Sequence, residues 1–139
     1  MQIKDVMTSE VRLIDPATKI ADAARTMRDD DVGALPVGEG ERLVGMVTDR
    51  DIVVRALAAG RQPETTPVRE AMSDKLLYCF DDQPTEEVAA NMGDNQVRRL
   101  PVLNREKRLV GIVSLGDLSS NGATREAGEA LRSISEPVS

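Results

Sequence analysis

The sequence contains no histidine and no tryptophan, one cysteine, and only two aromatic residues, Tyr78 and Phe80. Without histidine, neither imidazole acid–base catalysis nor a histidine metal site is available. Cys79 has no partner for an intrachain disulfide, and its place in an apolar run favours a buried strand cysteine over a nucleophile. We therefore expect an aliphatic core, and site residues of other types.

Long apolar runs and basic clusters are also missing. No run approaches the roughly 18 apolar residues of a membrane span. The segment 1–5 contains an acid and no apolar stretch, so we expect no signal peptide and a cytoplasmic protein. With 24 acidic against 18 basic residues the formal net charge is −6. That charge disfavours nucleic acid and anionic membrane, and we expect neither as a partner.

What the sequence does contain is a repeat. Segment 32–37 reads Val-Gly-Ala-Leu-Pro-Val, and 65 positions later 97–102 reads Val-Arg-Arg-Leu-Pro-Val. Segment 43–51, Leu-Val-Gly-Met-Val-Thr-Asp-Arg-Asp, is matched at an offset of 66 by 109–117, Leu-Val-Gly-Ile-Val-Ser-Leu-Gly-Asp. The chain is therefore predicted to consist of two copies of one unit. Each copy, at about 60 residues, would be marginal alone, so we expect a shared core.

Each copy is predicted to run strand, helix, strand, strand, helix. In the first copy these are a strand at 11–14, a helix capped by Thr18, strands at 34–37 and 43–47, and a helix at 49–59. The inner face of the first helix is expected to hold the apolar residues at helical spacing, which are Ile20, Ala23, Ala24 and Met27.

The second copy is predicted to follow the same order. Its elements are a strand at 76–80, a helix starting at Pro84, strands at 100–103 and 109–113, and a helix from near Leu115. We place the first repeat at 1–60 and the second at 61–122. The tail at 123–139 has no counterpart in the first copy. Its composition suits a helix, which Gly128 and Pro137 would limit, and the sequence leaves a helical and a disordered tail both open.

The residues that can carry chemistry lie where the second strand of each hairpin gives way to a helix. Thr48 and Asp51 recur there as Ser114 and Asp117. A helix start favours an anion, a hydroxyl can donate to a phosphate oxygen, and a carboxylate can accept from the two hydroxyls of a ribose. The same residues suit a capping box, in which each side chain accepts from the other's backbone N–H. The spacing alone leaves both interpretations open.

The pattern of Leu-Pro-Val, a hairpin and Gly-hydrophobic-Val-Thr/Ser-x-x-Asp, twice in tandem over about residues 1 to 120, resembles the cystathionine-β-synthase (CBS) domain family. It is similar to the small stand-alone bacterial CBS-pair proteins. The resemblance implies an α/β (α+β) fold, a tandem CBS domain pair of two β-α-β-β-α repeats packed through their sheets. It also implies a regulatory module that binds an adenosine-containing ligand in clefts between the repeats. The candidates are AMP, ADP, ATP, NAD and S-adenosylmethionine.

The resemblance assigns ligand contacts to individual residues. Ribose hydroxyls fall to Asp51 and Asp117, and phosphate or ribose contacts to Thr48 and Ser114. The walls of the base site would be strand residues, namely Met46, Val47, Ile112 and Val113. The position before Leu-Pro-Val faces the ligand in the family, and here it is Ala34 in one copy and Arg99 in the other. Arg99 has a second interpretation as an exposed strand arginine.

No catalytic or metal-binding residue is assigned. The sequence has no glycine-rich phosphate loop with a lysine, no metal cluster and no activated nucleophile, so we expect no enzyme and no required cofactor. The competing function belongs to another class. It is a structural dimerisation or interaction protein without a small-molecule ligand, in which the two motifs act only as helix caps.

The helix at 49–59 predicts an interface. From Ile52 to Ala59 the only charged residue is Arg55, so part of an apolar surface would face solvent. CBS pairs similarly associate through such helices, and we expect a two-fold homodimer. The alternative is a monomer whose apolar surface is covered by the tail. A regulated protein partner is also expected, and the sequence does not identify it.

Overall fold

The computed structural model describes residues 1–73, 75–120 and 124–135. The chain falls into two compact units. The first-repeat unit comprises residues 11–76, and the second-repeat unit comprises residues 1–10 together with the described residues from 77 onward. The unit around the second repeat therefore contains the first ten residues of the chain. This division differs from the repeat boundaries at 1–60 and 61–122, which stay a prediction.

The first-repeat unit is built on a hairpin and two helices. Helix α1 (Ile20–Asp30) precedes strands β1 (Ala34–Glu39) and β2 (Arg42–Thr48), which pair antiparallel with Leu35 opposite Val47. Helix α2 (Asp49–Asp51) continues as a π-helix (Ile52–Leu57), and a 3-10 turn follows at Val68–Glu70.

The second-repeat unit repeats this plan and extends it. A 3-10 turn at Ile3–Asp5 belongs to it, followed by β3 (Cys79–Phe80), α3 (Thr85–Asp94), β4 (Arg99–Leu103) and β5 (Leu109–Ser114). Strand β4 pairs parallel with β3 and antiparallel with β5. Two further helices complete the unit, α4 (Leu115–Ser120) and α5 (Thr124–Ser135). The predicted mixed α/β (α+β) class is confirmed.

Each unit has its own aliphatic cluster, and the shared core expected from the short copies stays a prediction. The first-repeat cluster joins Ile20, Leu35 and Val47 to Val68. The second-repeat cluster joins Val102 and Val113 to Ile3 and to α5. It also includes buried residues of α3 and α4, which are Val88, Ala89, Met92 and Leu118. Each cluster thus includes a residue of a 3-10 turn, Val68 in the first-repeat unit and Ile3 in the second-repeat unit.

Several local predictions were wrong. Segment 11–14 makes one parallel bridge, Ile14 to Val37, and no strand, because the turn at Asp15 follows at once. Thr18 does not cap α1: its N–H donates to the Asp15 carbonyl, and Lys19 takes the cap position. On α1 Ala24 is exposed while Ala21 is buried. The Asp15 turn accounts for the first two errors, since it ends segment 11–14 and uses the Thr18 N–H.

The start of the second repeat also differs from the prediction. Only Cys79 and Phe80 form a strand, and Pro84 is the cap residue of α3, with an extended ψ of 142°. Of the two alternatives for the tail, the structure has the helix, at Thr124–Ser135. Residues 123 and 136–139 lie outside the described residues. No helix in the described part of the chain has both the length and the apolar character that crossing a membrane requires.

Cys79 is a core residue. Its side chain is buried, and its Sγ lies 3.9 Å from the Pro101 carbonyl. Burial, together with the charge of Asp81, raises the pKa of the thiol to about 12. The thiol therefore stays protonated at neutral pH, where a nucleophilic cysteine needs its thiolate.

Candidate functional site

The hydroxyl and carboxylate of the repeated motif meet in both units. In the first-repeat unit the Asp51 N–H donates to Thr48 Oγ1 (3.1 Å), and the Thr48 N–H donates to Asp51 Oδ2 (2.9 Å). The Asp117 N–H donates to Ser114 Oγ (3.1 Å), and the Ser114 N–H donates to Asp117 Oδ2 (2.9 Å). Both motifs therefore form complete capping boxes. A ligand contact at either motif would be added to a structural role that the same atoms already have.

The Asp51 carboxylate is partly withdrawn from solvent. Its side chain is 17% exposed, and Oδ1 lies 3.8 Å from Arg55 Nε. A ribose bound here would compete with Arg55 for that oxygen. Asp117 is half-buried as well, so neither carboxylate is a freely hydrated surface group.

The four strand residues predicted to wall a base divide into two kinds. Val47 and Val113 are fully buried in the two aliphatic clusters, because alternate strand residues face opposite sides of the sheet. Met46 and Ile112 are half-buried, and each forms a two-bond bridge with a neighbouring segment, Met46 with Ser73 and Ile112 with Thr8. Of these four residues, Met46 and Ile112 are the two whose side chains are partly exposed to solvent. Ala34 is buried like the valines.

A cavity of about 570 Å³ lies in the second-repeat unit, beside Ser114. Arg99 is opposite Ser114 in the β4–β5 register, and both line the cavity with Arg98. The side chains of Arg98 and Arg99 are exposed and have no carboxylate partner within residues 1–73, 75–120 and 124–135. Two uncompensated cations therefore lie next to the hydroxyl of the second motif. The structure thus brings two predicted site residues, Arg99 and Ser114, to one cavity.

The rest of the cavity is formed by the two last helices. Helix α4 contributes Leu115 and Ser119, and α5 contributes Thr124, Ala127 and Leu131. The cavity thus has a cationic end, a set of hydroxyls and an apolar wall. A ligand with an anionic group attached to an apolar ring system suits this arrangement.

The first-repeat unit has the same backbone here and different side chains. The Asp49 N–H donates to the Gly33 carbonyl and the Leu115 N–H to the Arg98 carbonyl, each at 3.0 Å. Gly33 and Ala34 therefore stand where the second repeat has Arg98 and Arg99. The two copies therefore differ in their residues: one hairpin has two arginines at these positions, and its counterpart has glycine and alanine.

The sequence patterns did not identify Arg98, Ser119, Thr124 or Leu131 as site residues. The signal for α5 was the spacing of Ala127, Ala130, Leu131 and Ile134, which fall at i, i+3, i+4 and i+7. Gly128 made this helical pattern less evident, because glycine is disfavoured inside a helix. In the structure Gly128 is exposed with open space around it, so it interrupts no packing contact of α5. Within the described residues, no group of three or more cysteine, aspartate or glutamate side chains is arranged to hold a metal ion.

Comparison with known proteins bears on both repeats. The family model described as the CBS domain matches twice, at residues 3–57 and 68–122. The CBS domain-containing protein YhcV of Bacillus subtilis is 44% identical over 134 residues, which cover 96% of this chain and 94% of that protein. Hypoxic response protein 1 of Mycobacterium tuberculosis is 37% identical over 136 residues, covering 97% and 94%.

Solved structures agree with the fold. A conserved CBS domain protein of unknown function from Thermoplasma acidophilum has a TM-score of 0.86 at 27% identity, covering 96% of this chain and 75% of that one. The CBS domain pair of protein MJ0100, in complex with 5-methylthioadenosine and S-adenosyl-L-methionine, has a TM-score of 0.78 at 26% identity (90% and 98% covered). CBSX2 in complex with AMP has a TM-score of 0.74 at 25% identity, with the same coverage.

Proposed function

The chain belongs to the CBS domain family, and we propose that it is a regulatory module that binds an adenosine-containing ligand without turning it over. Relatives of the same fold hold AMP, or methylthioadenosine and S-adenosylmethionine. The observation in this chain that carries the proposal is the cavity beside Ser114, which Arg98 and Arg99 also line. Its volume, about 570 Å³, falls inside the roughly 300–1,000 Å³ typical of small-molecule sites.

Each polar group of the second repeat has a role in this proposal. Arg98 and Arg99 bind phosphate, since a guanidinium presents planar paired donors to phosphate oxygens. Ser114 Oγ accepts from the Asp117 N–H, so its own hydroxyl proton is available to a phosphate oxygen. Asp117 holds the ribose hydroxyls. In the first repeat Thr48 and Asp51 have the same roles, without the two arginines.

A thermal-shift panel tests the proposal. AMP, ADP, ATP, NAD and S-adenosylmethionine would each be added to the full chain, with GMP and inorganic phosphate as controls. A ligand at 100 times its Kd stabilises the folded state by about 2.7 kcal/mol, which raises the melting temperature. We expect at least one adenosine ligand to do so, and product analysis to show no turnover. A flat response to the whole panel would contradict ligand binding.

The second candidate is a structural dimerisation protein without a ligand. The observation that favours it is that both motifs are already complete capping boxes, so neither needs a ligand to satisfy its polar atoms. A flat panel together with a stable dimer would support this candidate.

We also propose that the chain forms a homodimer through the π-helix. Val53, Val54 and Leu57 are 55%, 48% and 54% exposed, which makes one side of this helix apolar and open to solvent. Helix α5, which was the alternative cover for this surface, packs against α3 and α4 in the second-repeat unit. Burial of such a patch against the same patch of a second copy would remove apolar area from water.

A charge in this patch should separate the dimer. We expect Val54→Glu to give a mass near the 15.1 kDa of one chain by light scattering at micromolar concentration, where the wild type gives twice that mass. The reason is that two buried carboxylates would face each other across the two-fold axis. Val32→Glu is the matched control, since Val32 is an exposed valine outside the π-helix. A wild-type mass of one chain would contradict the dimer.

Arg99 should distinguish phosphorylated from unphosphorylated ligands. We expect Arg99→Ala to weaken AMP binding roughly tenfold or more, because it removes a charge-assisted hydrogen bond worth about 1.5–3 kcal/mol. Adenosine, which has no phosphate, should lose little affinity. Calorimetry with both ligands measures the difference, and Arg42→Ala serves as the control because Arg42 is also an exposed strand arginine. Equal losses for AMP and adenosine would remove Arg99 from the phosphate site.

A further inference from the structure

Helix α5 has no counterpart in the first repeat and packs firmly into the second-repeat unit. Ala127 and Ala130 are buried in the second-repeat cluster. At Gly93 of α3 an added Cβ would lie 2.9 Å from Ala130 Cα and 3.1 Å from its Cβ, so the two helix backbones are in close contact. Gln96 Nε2 also donates to the Ser133 carbonyl at 3.1 Å. The inner side of α5 is thus fixed by α3.

A second side of α5 faces the cavity. Leu131 is 45% exposed and lines it, which makes it an apolar side chain held at the wall of a partly open site. Apolar area left in contact with water inside a cavity is covered when a ligand binds. A flat ring system against Leu131 and Ala127 would do this.

The hydroxyl groups of Thr124 and Ser119, beside α5, both act as hydrogen-bond donors to backbone carbonyls. Thr124 Oγ1 donates to the Ser119 carbonyl at 2.7 Å, and Ser119 Oγ donates to the Gly116 carbonyl at 3.1 Å. Both hydroxyl protons are therefore used, and the oxygens remain able to accept. They suit ligand groups that donate, such as ribose hydroxyls or an exocyclic amino group. Ser114, at the arginine end, keeps a donor and suits the phosphate.

We propose that α5 forms one wall of the ligand site in the second repeat, with Leu131 and Thr124 as residues that determine its selectivity for a nucleoside phosphate. The inference rests on the proposed function, and it adds a contact surface that the repeated motif does not contain. Since the first repeat has no α5, this wall belongs to one of the two sites only. A bound ligand would bridge α5 to Arg98 and Arg99 and so hold the helix in place.

The test uses the full chain with AMP as the probe. We expect Leu131→Asn to weaken AMP binding about fivefold by calorimetry, because part of a leucine side chain no longer covers the ring. Arg132→Asn is the matched control, since Arg132 is the next residue on α5, is exposed, and does not line the cavity. It should bind within about twofold of the wild type. Because Leu131 is 45% exposed, we expect the variant to fold as the wild type does, and circular dichroism checks this directly.

Hydrogen exchange of the wild type gives a second measurement that needs no variant. Saturating AMP should slow exchange of the amides in 124–135. If the wild type binds AMP while Leu131→Asn binds equally well, or while exchange in 124–135 is unchanged, α5 is not part of the site and the proposed function stands. If the wild type binds no member of the nucleotide panel, the proposed function fails and this inference fails with it.

Discussion

Replacing both Asp51 and Asp117 with alanine is expected to weaken AMP binding by about 1.5–3 kcal/mol at each site, a factor of roughly 10 to 150. The physical reason is the loss of a charged acceptor for the ribose hydroxyls. Calorimetry on the single and double variants measures it. The single variants should each affect one site, and the double variant should leave no site at wild-type affinity.

The capping boxes complicate this experiment and also provide its control. Each aspartate accepts from a backbone N–H three residues earlier, so its removal should cost about 1 kcal/mol of stability as well. Asp5 makes the same contact, accepting from the Gln2 N–H at 3.0 Å, outside the repeated motif. Asp5→Ala should therefore remove a cap and leave affinity unchanged. If the double variant bound AMP as the wild type does, the aspartates would be caps alone.

The second large effect concerns a glycine in each hairpin. A Cβ added at Gly45 would lie 2.5 Å from the Ser73 carbonyl oxygen and 3.1 Å from Met72 Sδ. At Gly111 the corresponding atoms are the Thr8 carbonyl oxygen and Met7 Sδ, each at 2.7 Å. These contacts exist because residues 72–73 and 7–8 dock beside β2 and β5, where Met46 and Ile112 form their bridges. No side chain fits without moving a backbone.

We therefore expect Gly45→Val to destabilise the protein by about 3 kcal/mol, with a fall in the melting temperature on the order of 10 °C. Thermal unfolding without ligand measures this. Gly128→Ala is the opposite case: the added Cβ meets nothing within 4 Å, and alanine is favoured in a helix, so a gain of about 0.5–1 kcal/mol is expected. A Gly45→Val protein as stable as the wild type would contradict the docking of residues 72–73 on β2.

The features that the sequence by itself determined are those encoded by neighbouring residues. The two hairpins appear close to where they were predicted, at 34–39 with 42–48 and at 99–103 with 109–114, because alternating apolar residues around a polar turn specify a hairpin locally. The motif side chains also meet as their spacing requires, since Thr48 and Asp51 lie one helical turn apart. The family followed from the same local patterns, and both family matches confirm it.

Other features were decided by contacts distant in sequence. The first ten residues pack into the second-repeat unit, and nothing in segment 1–10 specifies that choice. Likewise the cavity beside Ser114 needed α5, whose apolar residues fit a helix without indicating which surface they cover. The packing of each sheet on its helices likewise placed the side chains of Val47 and Val113 in the two cores. Their contact with a base stays a prediction.

Ala24 and Ala89 show most directly that the sequence pattern of a helix does not specify whether its apolar face is buried. They occupy the same position in the two copies, 65 residues apart, on helices of the same order, and the repeat predicts one environment for both. Ala89 is fully buried, in the cluster that includes Ala127 and Ala130 of α5, whereas Ala24 is exposed. Helical periodicity specifies which residues share a face, and the burial of that face depends on what packs against it. In the second repeat that element is a helix more than 30 residues further along the chain, and only the tertiary structure places it there.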